Sequence, residues 1–160
     1  MPIEAYCTIE GMEGPIEGSV QIAGRENTIE VVEFNHQVHI PSDRKSGRLT
    51  GVRQHRPAVI TKAYDKSTPY LYKALTNGEE LPSVIVRWYD IDDTGTEVNY
   101  FTHTYEQARI SDIRSYMPST KDPTMDQYTH MEDVSFVYES VEWLWEDGAL
   151  THIDAWQQER

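Results

Sequence analysis

The feature that most constrains this chain is a two-residue period that recurs along most of its length. In IEAYCTIE, Ile3, Ala5, Cys7 and Ile9 alternate with Glu4, Tyr6, Thr8 and Glu10, the pattern of a strand with one buried and one wet face. EVVEFNHQVHI alternates through Val32, Phe34, His36, Val38 and Ile40, with a change of phase at Val31–Val32 that predicts a bulge. PAVITKAY, residues 57–64, reads as a further strand. SVIVRWYDI and TEVNYFTHTYE flank the turn DDTG and predict a hairpin. ARISDIRSYM follows directly, then the loop PSTKDPTMDQ and the long run YTHMEDVSFVYESVEWLWE. Seven or so strands in succession, without a βαβ rhythm, predict a mainly β chain: an antiparallel β-barrel or two packed sheets.

One segment breaks the period. STPYLYKALTNGEEL, residues 67–81, predicts a short α-helix at about 69–77, with Thr68 as N-cap, Pro69 at a position that tolerates a missing N–H, and Gly78 as the stop. Leu71, Ala74 and Leu75 share a face. Isolated helices shorter than roughly 12–15 residues are marginal in water, so this one must flank the strands. A long extended loop at about 41–56, PSDRKSGRLTGVRQHR, is rich in turn formers and bases. Loops of that length in compact domains are usually functional or disordered, and this one is expected to be an arm that packs on another surface. The tail at about 147–160 has no clear period and is expected to be loosely ordered apart from docking by Trp156. A chain of 160 residues fits a single domain, 1–160, with a sizeable core.

Charge narrows the function classes. The formal net charge is −13, which argues against nucleic acid and against anionic membrane surfaces, because both are bound largely through Lys and Arg. No apolar run approaches the roughly 20 residues of a membrane span, and MPIEAYCTIEG lacks the features of a cleavable signal peptide. Cys7 is the single cysteine, so no internal disulfide forms and synthesis in the cytoplasm is expected. The charge is also split. Residues 1–33 carry seven Glu against Arg25, whereas residues 44–73 carry eight bases against Asp65. That basic segment either pairs within its own subunit or makes a surface complementary to the acidic remainder, suited to head-to-tail association.

Catalytic and metal chemistry find little purchase. His36 and His39 have ligand-like spacing, but residues three apart on a strand point to opposite faces. DIDDTG offers Asp90, Asp92 and Thr94 as in a calcium loop, yet Phe101 stands where the bidentate Glu is needed, and a hairpin turn explains the same letters. Cys7, at an apolar-phase position, reads as a small core residue rather than a nucleophile. EGMEG near Gly11 reads as a turn, and no phosphate-binding loop or nucleophile elbow is present. No enzyme and no cofactor are expected, and no metal site.

The order of motifs is informative. HRPAVITKAYDKSTPYLYKALTNGEEL, VIVRWYDID, YFTHTYEQARISDI followed by MP, and HMEDVSFVYESVEWLW, with YCTIEG at the start, together resemble the haemolysin-coregulated protein (Hcp) family, the tube subunit of the bacterial type VI secretion system. The resemblance spans roughly Ala5 to Trp145. It implies a barrel or pair of sheets flanked by one helix, and homo-hexameric rings stacked into a hollow tube inside a contractile sheath. It further implies a VgrG-type spike protein at the tip, small effector proteins in the lumen, and passage from the cytoplasm to the exterior or a target cell. The subunit and ring interface is then expected at the arm, through Arg44, Lys45, Arg48 and Arg53, and at the helix, through Tyr70, Tyr72 and Lys73. Three departures from the family pattern are Ala58 after the proline of HRP, Glu139 and Ser140 where bases are common, and the ending HIDAWQQER. A monomeric barrel binding a small ligand is the alternative, and it would need an enclosed apolar pocket.

Overall fold

Alternation becomes pairing in the computed structural model, which describes residues 3–157. Among the described residues the strands are β1 (Ala5–Gly11), β2 (Gly14–Ile16), β3 (Ile29–Val31), β4 (Glu33–Asn35), β5 (Val38–His39), β6 (Gln54–His55), β7 (Ala58–Ala63), β8 (Glu80–Ile91), β9 (Glu97–Tyr116), β10 (Met131–Val137), β11 (Ser140–Trp145) and β12 (Leu150–Ala155). The helix α1 (Thr68–Thr76) stands between β7 and β8. All of the strand pairs are antiparallel, in one ten-stranded sheet that runs β2–β1–β8–β9–β10–β7–β4, with a small separate ladder of β5 and β6.

Two features curl that sheet around a core. β9 is 20 residues long and serves three partners: β8 along one edge, and β11 then β10 along the other. The hand-over falls at Gln107, where φ is +51° and the β8 register skips Pro82, a residue with no N–H to give the ladder. The second feature is the phase change expected at Val31–Val32. β3 pairs with β1, β4 pairs with β7, and Val32 between them is exposed while its N–H still reaches the Thr61 carbonyl at 2.8 Å. One bent segment therefore ties the two ends of the sheet, although β3 and β4 form no continuous ladder and the barrel is not closed.

The enclosed face carries the residues that the period assigns to it. Ala5, Cys7 and Ile9 of β1, Ile60 of β7, Val84 and Val86 of β8, Tyr105 of β9 and Val134 and Phe136 of β10 are all buried in one cluster. Each large apolar side chain so buried contributes about 1.5–3 kcal/mol. Burial pushes the Cys7 thiol up to about 12, as suits a core residue.

α1 lays Leu71 and Ala74 into the same cluster. Its C-terminus ends as expected: Gly78 at φ +62° lets its own N–H reach Leu75 and the Glu79 N–H reach Ala74. The N-terminus differs. Ser67, not Thr68, holds the cap position, and its side chain makes no capping bond to the helix. Thr68 is drawn away because its hydroxyl accepts from Lys62 at 3.4 Å and donates to Glu132 at 2.9 Å.

The expected inward phase of Val38 and Ile40 does not hold, since both are exposed once the chain leaves the sheet after Asn35. Leu150–Ala155, expected to be loose, forms β12 and pairs along all of β11. The sparse apolar content of LTHIDA hid that strand, whose residues are mostly exposed.

Between β2 and β3 the chain folds back so closely that a Cβ on Gly18 would lie 2.3 Å from the Thr28 carbonyl oxygen. Gly18→Ala is expected to cost about 1–3 kcal/mol by forcing backbone apart, read as a lower urea midpoint. An unchanged midpoint would mean that this turn yields freely.

Candidate functional site

The basic loop is a narrow hairpin. Arg56 donates to the Gln37 carbonyl at 3.0 Å, β5 and β6 pair above it, and Thr50 donates to the Pro41 carbonyl at 2.8 Å. Ser42 bridges Leu49, and Gly47 at φ +72° closes the tip. Within that tip, Asp43 accepts from the Lys45 N–H and from the Ser46 hydroxyl, which holds its carboxyl below the usual range. The arm, Gln37–Arg56, leaves Val38, Ile40, Leu49 and Val52 exposed, the last two at 66% and 58%. Such apolar exposure, rimmed by charge, marks a surface made for contact.

The seven residues expected at an interface divide into two groups. Arg44, Lys45 and Arg48 are exposed at the tip and make no ion pair among the described residues. Arg53 points back, its Nε 2.5 Å from Asp154 on β12. On the helix Tyr70 is 59% exposed, Tyr72 bonds its hydroxyl to Ser115, and Lys73 reaches Glu13 at 3.3 Å. The split charge is thus partly settled inside the chain, since Lys62 and Lys66 also pair with their own subunit. The tip, together with exposed Arg56, is what remains outward.

At its root the arm meets a buried polar chain that the sequence reading missed. His55 of β6 donates or accepts at both ring nitrogens, with Asp154 at 2.7 Å and Tyr138 at 2.8 Å. Tyr138 in turn meets His36 at 2.7 Å, and His36 meets Tyr105 at 3.2 Å. Trp156 stacks on His55 and sets its edge against Tyr138. Burial, and then His55, hold His36 down to about 4; burial, and then His36, do the same to neighbouring His103. Burial alone would raise Asp154, but the hydrogen bonds from Arg53 and His55 prevail and keep it low. The available signal was His36 on the apolar phase of its segment. Its partner Tyr138 lies 102 residues away, beyond any local pattern.

Among the described residues no group of three or more His, Cys, Asp or Glu could hold a metal ion. DDTG is a hairpin turn: Asp92 accepts from the N–H groups of Thr94 and Thr96, and Gly95 takes φ +82°.

A family model described as "Type VI secretion system effector, Hcp" matches residues 6–145. The "Major exported protein" of Pseudomonas aeruginosa is 42% identical over 140 residues, which cover 88% of this chain and 81% of that one. The chain belongs to the Hcp family. Among solved Hcp structures, a mutant Hcp1 from E. coli EAEC 042 is 39% identical with a TM-score of 0.86, covering 97% of this chain and 99% of that one. Hcp3 of Pseudomonas aeruginosa is 34% identical with a TM-score of 0.80 over 97% and 99% of the two chains. Hcp1 from Salmonella typhimurium, 16% identical, shares the fold at a TM-score of 0.72. This Hcp is therefore a type VI secretion protein, of a family that is structural and secreted. Its departures sit in well-formed places: Ala58 is fully buried in β7, and the Glu139 carbonyl accepts the Trp156 N–H at 2.8 Å.

Proposed function

We propose that this chain is a non-enzymatic subunit of the inner tube of a type VI secretion system. Six copies form a ring, rings stack into a hollow tube, and contraction of the surrounding sheath drives the tube, with a VgrG-type spike at its tip, out of the cytoplasm. Small effector proteins travel in the lumen. The observation that carries this reading, beside family membership, is the arm: a hairpin with exposed Leu49 and Val52 and a tip of Arg44, Lys45 and Arg48 without partners among the described residues. In a ring, packing of strand faces and of the helix, with Tyr70 outward, supplies most of the affinity. The tip steers the arm onto an acidic neighbour. Exposed pairs contribute only about 0–1 kcal/mol each, so packing rather than charge sets the strength.

Clefts of about 460 and 480 Å³ lie against the β1–β2 turn and the β3–β4 bend. Glutamates rim both, unlike the enclosed apolar pocket of a small-ligand barrel. The test is native mass with negative-stain imaging. A ring with a central hole near 111 kDa, six times 18.5 kDa, is expected. A particle that stays at 18.5 kDa across concentration and salt would count against self-assembly.

A further inference from the structure

The buried chain at the root of the arm has a direction, and the direction fixes every proton. Asp154 is an acceptor only, so His55 must place its hydrogen on Nε2 and leave Nδ1 to accept. Tyr138 then donates to His55 Nδ1 and accepts from His36 Nε2. His36 Nδ1, left bare, accepts from the Tyr105 hydroxyl. Beside this chain His103 accepts the Trp88 indole N–H on Nδ1 at 2.8 Å, so its own hydrogen is on Nε2. His36 and His103 are neutral, and the unprotonated nitrogen of each is already in use.

A second proton on any of the three rings breaks a link. On His36 it lands where the Tyr105 hydroxyl donates, and Tyr105 is fully buried with no other acceptor for its hydrogen. On His55 it faces Tyr138, whose oxygen already receives His36. On His103 it displaces the Trp88 indole. The groups around the cluster offer little compensation. From the arm comes Arg53, already paired with Asp154 of β12; β9 contributes His103 and Tyr105; Tyr138 precedes β11; β8 contributes Trp88; and Trp143 of β11, stacked on His36, carries His152 of β12 on its other side. Asp154 is the single carboxylate bonded into the chain, and it lies at the far end from His36.

We propose that this relay is an acid-operated latch, which holds the arm Gln37–Arg56 against β9, Tyr138 and β12 while His36 and His103 are neutral and releases it when they take a second proton. The inference goes beyond the tube reading and does not depend on it, because the latch lies within one chain. The sign follows from linkage. His36 and His103 titrate at about 4 in the folded protein against about 6.5 when free. The released state, with His36 and His103 freed of their buried partners, therefore binds more protons, and the latched state loses its advantage as pH falls from about 6.5 through about 4.

A nitroxide at Gln54→Cys, on the exposed side of β6, reports the arm, and Cys7 is too buried to be labelled. The mobile part of its spectrum is expected to grow from a minor to the major component between about pH 7 and pH 4, while the far-ultraviolet circular dichroism of the sheet persists. Asp154→Ala, which removes the acceptor for both Arg53 and His55, should release the arm already near neutral pH, and His36→Asn should move the midpoint to lower pH. An immobile label throughout, or loss of arm and sheet at one common pH, would overturn the latch. If His36→Asn fails to fold, the Asp154→Ala spectrum at neutral pH decides alone, and an immobile label there also overturns it.

Discussion

Glu132→Ala is expected to remove about 3–5 kcal/mol of folding stability, the largest loss from any single side chain outside the apolar core. Glu132 and Lys62 face each other in the β10–β7 register, both with no exposed side-chain surface. Lys62 also lies 3.1 Å from Asp65, and the Thr68 hydroxyl bonds to both members of the pair. The start of α1 is thus fastened to the sheet through one buried cluster, and truncating Glu132 leaves an ammonium in the core with Asp65 as its remaining counter-charge and the Thr68 hydroxyl beside it. Breaking such a pair exceeds the worth of the pair itself, because the remaining charge keeps its desolvation penalty. Lys62→Met combined with Glu132→Leu should therefore be much less harmful than either single truncation. Urea unfolding of the two singles and the double gives the coupling. Single losses below about 1 kcal/mol would show that water reaches the pair.

Reversing the tip, Arg44→Glu with Lys45→Glu and Arg48→Glu, is expected to weaken tube stacking strongly while leaving the fold intact. The three residues make no ion pair within the described chain, so their replacement removes nothing from the subunit. It does make a protein of net charge −13 six units more negative. Each exposed contact is weak, but in the proposed tube the change would repeat in every copy of every ring, and like charges would then face each other at each junction. Sedimentation of assembled tubes, with urea unfolding of the same sample, separates the two effects. Raising salt from about 0.1 to 1 M shortens the Debye length from about 10 to 3 Å and should weaken wild-type stacking in the same direction. Arg53→Glu is the contrast, since its partner Asp154 is intramolecular and the loss there should appear in the arm itself. Tubes unaffected by the triple reversal would remove the tip from assembly.

The sheet was legible because alternation is a local signal. Ala5, Cys7 and Ile9, or Val84 and Val86, reveal their inward face to anyone reading every second residue, and Gly78 marks a helix end by its own conformational freedom. Lys62 occupies the same phase as Ala58 and Ile60, and a charge on a core-facing position is a readable sign of a buried partner, although the partner is 70 residues away. What stayed hidden depends on distant pairing. β12 has too few apolar residues to betray itself, and its existence depends on β11 offering an edge. The relay required His36, His55, Tyr138 and Asp154 to meet from four separate segments. Of the residues expected at an interface, the sequence could mark a basic arm, but only geometry separated Arg53, turned inward, from Arg44, Lys45 and Arg48.

The long strand β9 also sets a timetable for synthesis. Its hairpin with β8 is local and can close as soon as Tyr116 has left the ribosome. Its other edge must wait for β10 and β11, which are complete only at Trp145. At about 5–20 residues per second, that interval lasts about 1.5–6 seconds. Throughout it, every nascent chain carries a row of unpaired backbone donors and acceptors that a neighbouring chain can bind. A cell producing the protein in bulk thus maintains a standing population of half-built sheets with one open border, and translation of roughly the final quarter is the step that makes each copy safe from its siblings.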